Sequence, residues 1–184
     1  MTFIVILIII ALIVIAVVSI YNKLVRLRNT VKSSWSDIDV QCKKRFDLVP
    51  NLVETVKGYA SHEKTVFEKV TQARAMAMQA NSPAEMAKAE NMIRDTLKSL
   101  FAVAEAYPEL KANANFMQLQ TQLQELENSI EYARRYYNAV VRDFNVLIES
   151  FPSNLIASQF NFKQAELFQL EAPETERKPV KVSF

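Results

Sequence analysis

The chain has 184 residues, half of them hydrophobic, with a single glycine, a single cysteine and a formal net charge of +2. Tight turns and phosphate-binding loops need glycine, so this composition excludes a glycine-rich nucleotide site and favours long helices with few turns. One cysteine excludes an internal disulfide, and so small a charge excludes a strongly basic nucleic-acid-binding surface.

The first predicted element is an apolar run over residues 3–20 that only Ser19 interrupts. About 18 to 20 apolar residues are enough to cross a bilayer as a helix. A cleaved signal peptide is the alternative, but no basic residue precedes the run and its end is a poor cleavage site. We therefore predict a retained transmembrane anchor over residues 1–22.

A polar flank follows the anchor at once. It holds one aromatic residue suited to the membrane interface and four basic residues: Tyr21, Lys23, Arg26, Arg28 and Lys32. Basic residues concentrate on the cytoplasmic side of a membrane helix, which predicts an external N-terminus and a cytoplasmic C-terminal domain. The same residues would attract anionic lipid headgroups, so membrane lipid is the first predicted partner.

From Val31 onward the apolar residues fall into heptads. One seam is Val31, Ile38, Arg45, Leu52, Tyr59, Val66 and Ala73, and the other is Trp35, Cys42, Val49, Val56, Glu63, Val70 and Ala77. The register does not slip at Pro50, although proline removes one helical hydrogen bond. We predict one helix of about 50 residues, kinked near Pro50, with Gly58 adding flexibility.

The next two helices have clear limits. Ser82 and Pro83 predict an N-cap and first position for a second helix that runs to about Tyr107, where Pro108 ends it. Its apolar face is Met86, Ala89, Ile93, Leu97, Leu100 and Ala104. The third helix has one seam of Phe116, Leu123, Ile130, Tyr137, Phe144 and Phe151 and another of Leu119, Leu126, Ala133, Val140 and Leu147.

These elements predict an all-α fold in which a single transmembrane helix continues into a long antiparallel bundle of three to four helices over residues 23–170. A shorter amphipathic segment over residues 155–170 is expected to pack back on the bundle, and residues 171–184 read as a flexible tail. The first and third helices exceed the second in length. Their excess apolar seam predicts either self-association or cover by the segment after Phe151, and both remain open.

The sequence offers little for catalysis. His62-Glu63 begins like a zinc-protease motif, but Val66 stands where the second histidine is needed and the chain has no other histidine. A di-iron bundle would need Glu-x-x-His pairs, which are absent. Cys42 lies on a helical seam, as a small core residue does more often than a nucleophile. We predict no enzyme activity, no metal and no cofactor.

Polar residues on or beside the seams are candidate contacts. They are Arg45, Asp47, Asn51, Glu54 and Glu63 on the first helix, and Arg134, Asn138, Arg142 and Asn145 on the third. Buried charges are unfavourable unless paired, so these residues should pair across helices or stay hydrated. Two interpretations remain open: a network within the chain that fixes helix register, or contacts with another subunit.

Blocks of sequence along nearly the whole chain resemble the LemA family. They are WSDIDVQ at 35–41, RFDLVPNLV at 45–53, VKGYA at 56–60, EAYPELKA at 105–112, RRYYN at 134–138 and the pairs 21–22, 27–28, 62–63, 127–128 and 151–152, with Phe116 and Asn145. The chain departs from the family pattern at Ser34, where alanine is usual, at Phe144, where tyrosine is usual, and at Asn161, where glycine is common.

The resemblance implies a bacterial single-pass protein of the cytoplasmic membrane with a cytoplasmic helical bundle, and it implies no known activity. One branch of the family is tied to building magnetosome membranes, and members are often encoded beside membrane metallopeptidases. Two hypotheses of function follow. The first is a scaffold that self-assembles as a homo-oligomer on the cytoplasmic face of the membrane. The second is an adaptor that presents a membrane metallopeptidase with its substrate through residues 76–82 or the tail.

Overall fold

The computed structural model describes residues 1–60, 62–80 and 82–169, and these are all-α, as predicted, with no β-strand among them. The helices are α1 (Thr2–Lys57), α2 (Lys64–Ala77), α3 (Pro83–Glu105), α4 (Pro108–Lys111), α5 (Ala114–Glu149) and α6 (Ser153–Gln159). The antiparallel bundle and the domain limits at residues 22 and 170 stay predictions. The predicted tail, residues 171–184, lies outside the described residues.

The chain divides into two units. Unit 1 combines Met1–Ile38 with Tyr132–Leu167, and unit 2 combines Asp39–Glu131 with Phe168 and Gln169 among the described residues. Unit 1 buries apolar side chains of α1, α5 and α6, including Leu24, Val141 and Ile156. Unit 2 has its own core, in which Leu52 and Ile93 are fully buried.

The apolar run forms the first part of α1. Among the described residues, α1 is the one helix long and apolar enough to cross a membrane. Its most apolar 18-residue window has a mean hydropathy of 3.7, and none of that window is buried within the protein. A core helix of a soluble protein would bury its apolar face, so this exposure suits a lipid environment.

Pro50 lies inside α1, which confirms that the helix continues through the proline. Proline has no N–H, so the carbonyl of Phe46 one turn earlier lacks its usual helical donor. The Nε–H of Arg74, on α2, donates a hydrogen bond to this carbonyl at 2.9 Å. Arg74 therefore supplies the donor that Pro50 removes. The predicted kink stays a prediction.

This arrangement predicts that the effect of Arg74 depends on Pro50. Arg74→Met should lower the free energy of unfolding by about 1–3 kcal/mol, because the Phe46 carbonyl loses its donor. In a Pro50→Ala background the alanine N–H can pair with that carbonyl, so Arg74→Met should have a much smaller effect. Urea denaturation of the four proteins in mild detergent, followed by circular dichroism, measures both effects. An equal loss in the two backgrounds would contradict the compensation.

The prediction of one helix of about 50 residues from Val31 is wrong, because α1 ends at Lys57. Glycine in a helix is about 1 kcal/mol less favourable than alanine, which weakens the helix at Gly58. The Tyr59 N–H then donates to the Val56 carbonyl at 3.0 Å, in a tighter turn than an α-helix makes. Beyond the turn, α2 packs against α3 and buries Phe67, Val70, Ala73 and Ala77. Because α1 and α2 each bury an apolar face of their own, apolar residues at helical spacing occur on both sides of the turn.

The second and third predicted helices are confirmed as α3 and α5. The Oγ of Ser82 accepts a hydrogen bond from the Glu85 N–H at 3.2 Å, as expected of an N-cap. The whole predicted apolar face of α3 is buried. On α5, the seam from Phe116 is buried as far as Phe144. Leu126 of the other seam is only half-buried.

The predicted amphipathic segment after α5 is helical only in its first part, because α6 ends at Gln159. Asn161 has φ 54°, a left-handed conformation that an α-helix cannot contain. The Phe162 N–H donates to the Ala157 carbonyl at 2.9 Å, and the Asn161 N–H donates to the Ser158 carbonyl at 3.2 Å. This pair of bonds is the Schellman arrangement that ends many helices. Residues 162–169 continue without helix.

Candidate functional site

The buried charges of unit 2 meet at Arg45, which is 3% exposed. Its Nη1 donates to Oε2 of Glu90, on α3, at 2.8 Å and to Oε2 of Glu127, on α5, at 2.5 Å. The Glu90 side chain is 3% exposed and that of Glu127 is 39% exposed. One guanidinium therefore joins three helices, and it has its partners within the chain.

Burial controls the ionisation of groups beside Arg45. Desolvation raises the pKa of the Glu90 carboxyl above its ordinary range, while the nearby Arg45 charge opposes the rise. Cys42 is also buried there, and its burial, with the Glu90 charge, raises the pKa of its thiol. Nucleophilic attack by cysteine requires the thiolate. Cys42 is therefore a core residue, as its position on the seam predicts.

The other candidate residues of the first predicted helix lie outside this network. Asp47, Asn51 and Glu54 are exposed, and Glu54 forms an ion pair with Lys57 at 2.9 Å. Glu63 is half-buried and immediately precedes α2, so its assignment to a seam of one continuous helix is wrong. Exposed ion pairs between neighbouring turns contribute little to stability. Of these candidates, only Arg45 joins separate helices through side-chain hydrogen bonds in the part of the chain that the structure describes.

On α5, the structure separates the four polar candidates. Arg134 and Asn138 are half-buried and Arg142 is exposed. Asn145 has a defined role, because its Oδ1 accepts from the Ala165 N–H and its Nδ2 donates to the Ala165 carbonyl, both at 2.9 Å.

Tyr137 adds a second attachment near Asn145. Its hydroxyl donates to the Glu166 carbonyl at 2.8 Å. Residues 162–167 have no helix of their own, so these side chains satisfy backbone groups that would otherwise need water. The segment after α6 is therefore fastened along α5 within unit 1.

Aromatic side chains surround the start of the basic flank. The Tyr21 ring centroid lies 4.7 Å from that of Phe160 and 5.9 Å from that of Phe162. Phe162 is buried and makes an edge-to-face contact with Phe144 at 6.4 Å. The guanidinium carbon of Arg28 lies 5.0 Å from the centre of the Phe162 ring. Phe162 thus connects the flank to α5.

The remaining flank residues are free of the aromatic cluster and exposed: Lys23, Arg26 and Lys32. These cations follow the apolar run directly, where headgroups would lie if the run spans a bilayer. The flank therefore divides into packing residues, Tyr21 and Arg28, and three cations available to solvent or lipid.

The described residues contain no group of three or more His, Cys, Asp or Glu side chains that could hold a metal ion. His62, the only histidine of the chain, is exposed in the link before α2. Arg45 forms ion pairs with two carboxylates from other helices. These buried polar groups of unit 2 therefore hold helices together rather than face a substrate. The arrangement is suited to pairing helices.

Comparison with known proteins agrees with this architecture. The LemA family model matches residues 34–184. The chain belongs to the LemA family. Protein LemA of Metamycoplasma hominis is 30% identical over 166 residues, an alignment that covers 88% of this chain and 74% of that protein.

Magnetosome proteins are also similar to this LemA-family chain. Magnetosome protein MamQ 2 of Paramagnetospirillum magneticum is 25% identical over 175 residues, covering 81% of this chain and 64% of that protein. Magnetosome protein MamQ of Magnetospirillum gryphiswaldense is 23% identical over 174 residues, with coverage of 80% and 64%. The chain therefore spans just under two thirds of the length of these magnetosome proteins.

The structure accounts for the three departures from the LemA pattern. Ser34 is buried, and its hydroxyl donates to the Val31 carbonyl at 3.0 Å, so it places no unpaired group in the core. Phe144 packs on Phe162. Asn161 occupies a left-handed position that glycine adopts freely and asparagine tolerates better than most residues.

Sequence reasoning did not single out Glu90, Glu127 or Arg74. Glu90 follows Met86 by one helical turn on the apolar face of α3, and a charge at such a position was an available signal. Glu127 stands in one of the LemA-like pairs. Arg74 carried no signal, because its partner is a backbone carbonyl on another helix.

Proposed function

We propose that this LemA-family chain is a non-enzymatic, single-pass membrane protein that self-assembles as a scaffold on the cytoplasmic face of the bacterial inner membrane. The family match, the magnetosome relatives and the exposed apolar window of α1 support a membrane-associated protein. The basic flank supports the orientation, with the N-terminus outside. The alternative of a metallopeptidase adaptor has no observation in its favour.

A groove between α1 and α5 in unit 2 carries the proposal of self-assembly. It has a volume of about 520 Å³ and is lined by Gln41, Lys44, Asp47, Leu48, Gln122, Glu125, Leu126 and Ser129. Its apolar members, Leu48 and Leu126, are half-buried. Leu126 belongs to the seam predicted to need a cover. In the described residues, this stretch of seam is still accessible.

The charges around the groove fit a second copy of the chain. Lys44 and Asp47 lie on the α1 side and Glu125 lies on the α5 side. A two-fold dimer brings the same patch of both copies together, so Lys44 of one copy can meet Glu125 of the other. Opposite charges beside an apolar centre favour such a self-complementary contact.

The native mass of the full chain in mild detergent tests this proposal. Wild type should be a homogeneous homo-oligomer by size-exclusion chromatography with light scattering. Leu126→Lys should shift the protein towards monomer, because it puts a charge in the apolar centre of the groove. Glu125→Lys, at the exposed rim, is a second variant that leaves the core untouched and should weaken assembly through repulsion from Lys44.

Met117→Lys is the matched control. Met117 is exposed on α5 nine residues before Leu126, which is about two and a half helical turns and therefore the opposite face. It should leave the native mass unchanged. A monomeric wild type, or equal masses for wild type, Leu126→Lys and Glu125→Lys with unchanged circular dichroism, would contradict assembly through this groove.

A further inference from the structure

The junction between α5 and α6 exposes large apolar side chains close together in sequence. Phe151 is 81% exposed, Leu155 is 62% exposed and Phe160 is 51% exposed. Single exposed apolar residues are common on soluble proteins, but three large ones within ten positions of one junction suit an apolar partner. The whole junction belongs to unit 1, together with the apolar run of α1.

Contacts within unit 1 show which part of α1 lies beside this junction. Trp35 on α1 contacts Tyr137 on α5, with ring centroids 5.8 Å apart. Farther along α5, Phe144 contacts Phe162, which in turn contacts Tyr21. The contacts therefore run in opposite directions along the two helices.

Counting residues from the Trp35–Tyr137 contact then locates Phe151. Phe151 lies 14 positions after Tyr137, and Tyr21 lies 14 positions before Trp35. Both helices advance about 1.5 Å per residue, so these nearly equal helical steps bring the end of α5, two residues before Phe151, close to the level of Tyr21. The Tyr21–Phe160 contact at 4.7 Å independently puts the end of α6 at the same level.

Tyr21 marks the end of the apolar run over residues 3–20. A bilayer that holds this run would have its headgroup region beside Tyr21. The junction also has exposed cations around it, Lys23 and Arg26 on α1 and Lys163 after α6. Aromatic and leucine side chains beside basic residues are the composition of segments that lie in a membrane interface.

We infer that residues 151–163 form a second membrane contact, in which Phe151, Leu155 and Phe160 enter the boundary between headgroups and acyl chains while the neighbouring cations meet anionic headgroups. This contact rests on the proposed membrane anchor. It holds the C-terminal end of α5 against the same leaflet that α1 leaves. Two attachment points fix the direction of unit 1 relative to the bilayer more firmly than one helix does.

Depth-dependent fluorescence quenching of the full chain tests this inference. Single cysteines introduced by Phe151→Cys or Leu155→Cys carry an environment-sensitive thiol label, since the native Cys42 is buried. The proteins are placed in vesicles of phosphatidylcholine and phosphatidylglycerol with a spin-labelled lipid quencher at a shallow or a deep acyl position. Labels at both positions should lose fluorescence, more with the shallow quencher than with the deep one.

Tyr132→Cys is the matched control, because Tyr132 is 77% exposed on α5 and lies 19 positions from Phe151, about 28 Å along the helix. Its label should keep its fluorescence. Ile10→Cys, within the apolar run, reports the anchor itself and should respond most to the deep quencher. If Ile10 is quenched while positions 151 and 155 behave like 132, the second contact is wrong and the anchor stands. If Ile10 is not quenched, the anchor fails and the second contact fails with it.

Discussion

Replacing Arg45 by methionine should lower the free energy of unfolding by about 3–5 kcal/mol, the loss expected when one partner of a buried ion pair is removed. The reason is that the Glu90 carboxyl, 3% exposed, would lose the guanidinium that now binds it at 2.8 Å and would be left buried without this partner. Glu127 would lose less, because its side chain is 39% exposed and can be hydrated. Urea denaturation in mild detergent, followed by far-ultraviolet circular dichroism, measures the loss.

The double variant Arg45→Met with Glu90→Met tests whether the loss of stability comes from leaving Glu90 without its partner. Replacing both members of a buried pair by apolar residues of similar size is often close to neutral, so the double variant should recover most of the stability. Lys43→Met is the control on the same helix, because Lys43 is exposed and its loss should change stability by about 0.5 kcal/mol or less. A double variant as unstable as Arg45→Met would refute the explanation through Glu90.

Phe162→Ala is the second large expected effect, a loss of about 3–5 kcal/mol, as found for buried phenylalanine replaced by alanine. Phe162 is buried and contacts the rings of Tyr21 and Phe144 and the guanidinium of Arg28. Its removal would leave a cavity where the segment after α6 meets the flank of the anchor. The same denaturation experiment measures the loss, and limited proteolysis should show faster cleavage of residues 160–169.

Tyr132→Ala is the matched control for Phe162→Ala, since it removes an exposed ring from α5 in the same unit. It should change the free energy of unfolding by about 0.5 kcal/mol or less. Equal losses for Tyr132→Ala and Phe162→Ala, or unchanged proteolysis of the Phe162→Ala variant, would show that the aromatic cluster does not hold the segment.

Local patterns predicted most of the helices. The heptads from Val31 to Val56 and the face of α3 correspond to side chains that are largely buried, because helical periodicity repeats within one or two turns. The same locality explains why the ends of α1 and α6 were not predicted. A turn at Gly58 and a left-handed Asn161 interrupt patterns that otherwise continue, and periodicity does not register a single residue whose backbone leaves the helix.

The candidate site was predictable only in part. Arg45 stood out because a charge interrupts an apolar seam, and such a charge must find a partner. Its partners lie 45 and 82 positions away along the chain, a separation at which local spacing carries no information. Asn145 was placed on a polar stripe of α5, whereas its two bonds are to the backbone of Ala165, 20 positions later.

The sequence by itself determined that this is a helical protein with one apolar run suited to a membrane helix, basic residues directly after that run, and apolar faces that recur at helical spacing. These properties follow from composition and from spacings of three and four residues. Only the tertiary structure decided that Glu90 and Glu127 neutralise Arg45, that Arg74 replaces the donor missing at Pro50, and that the segment after α6 returns to Tyr21. Those contacts join distant residues, and they depend on which helix faces are brought together.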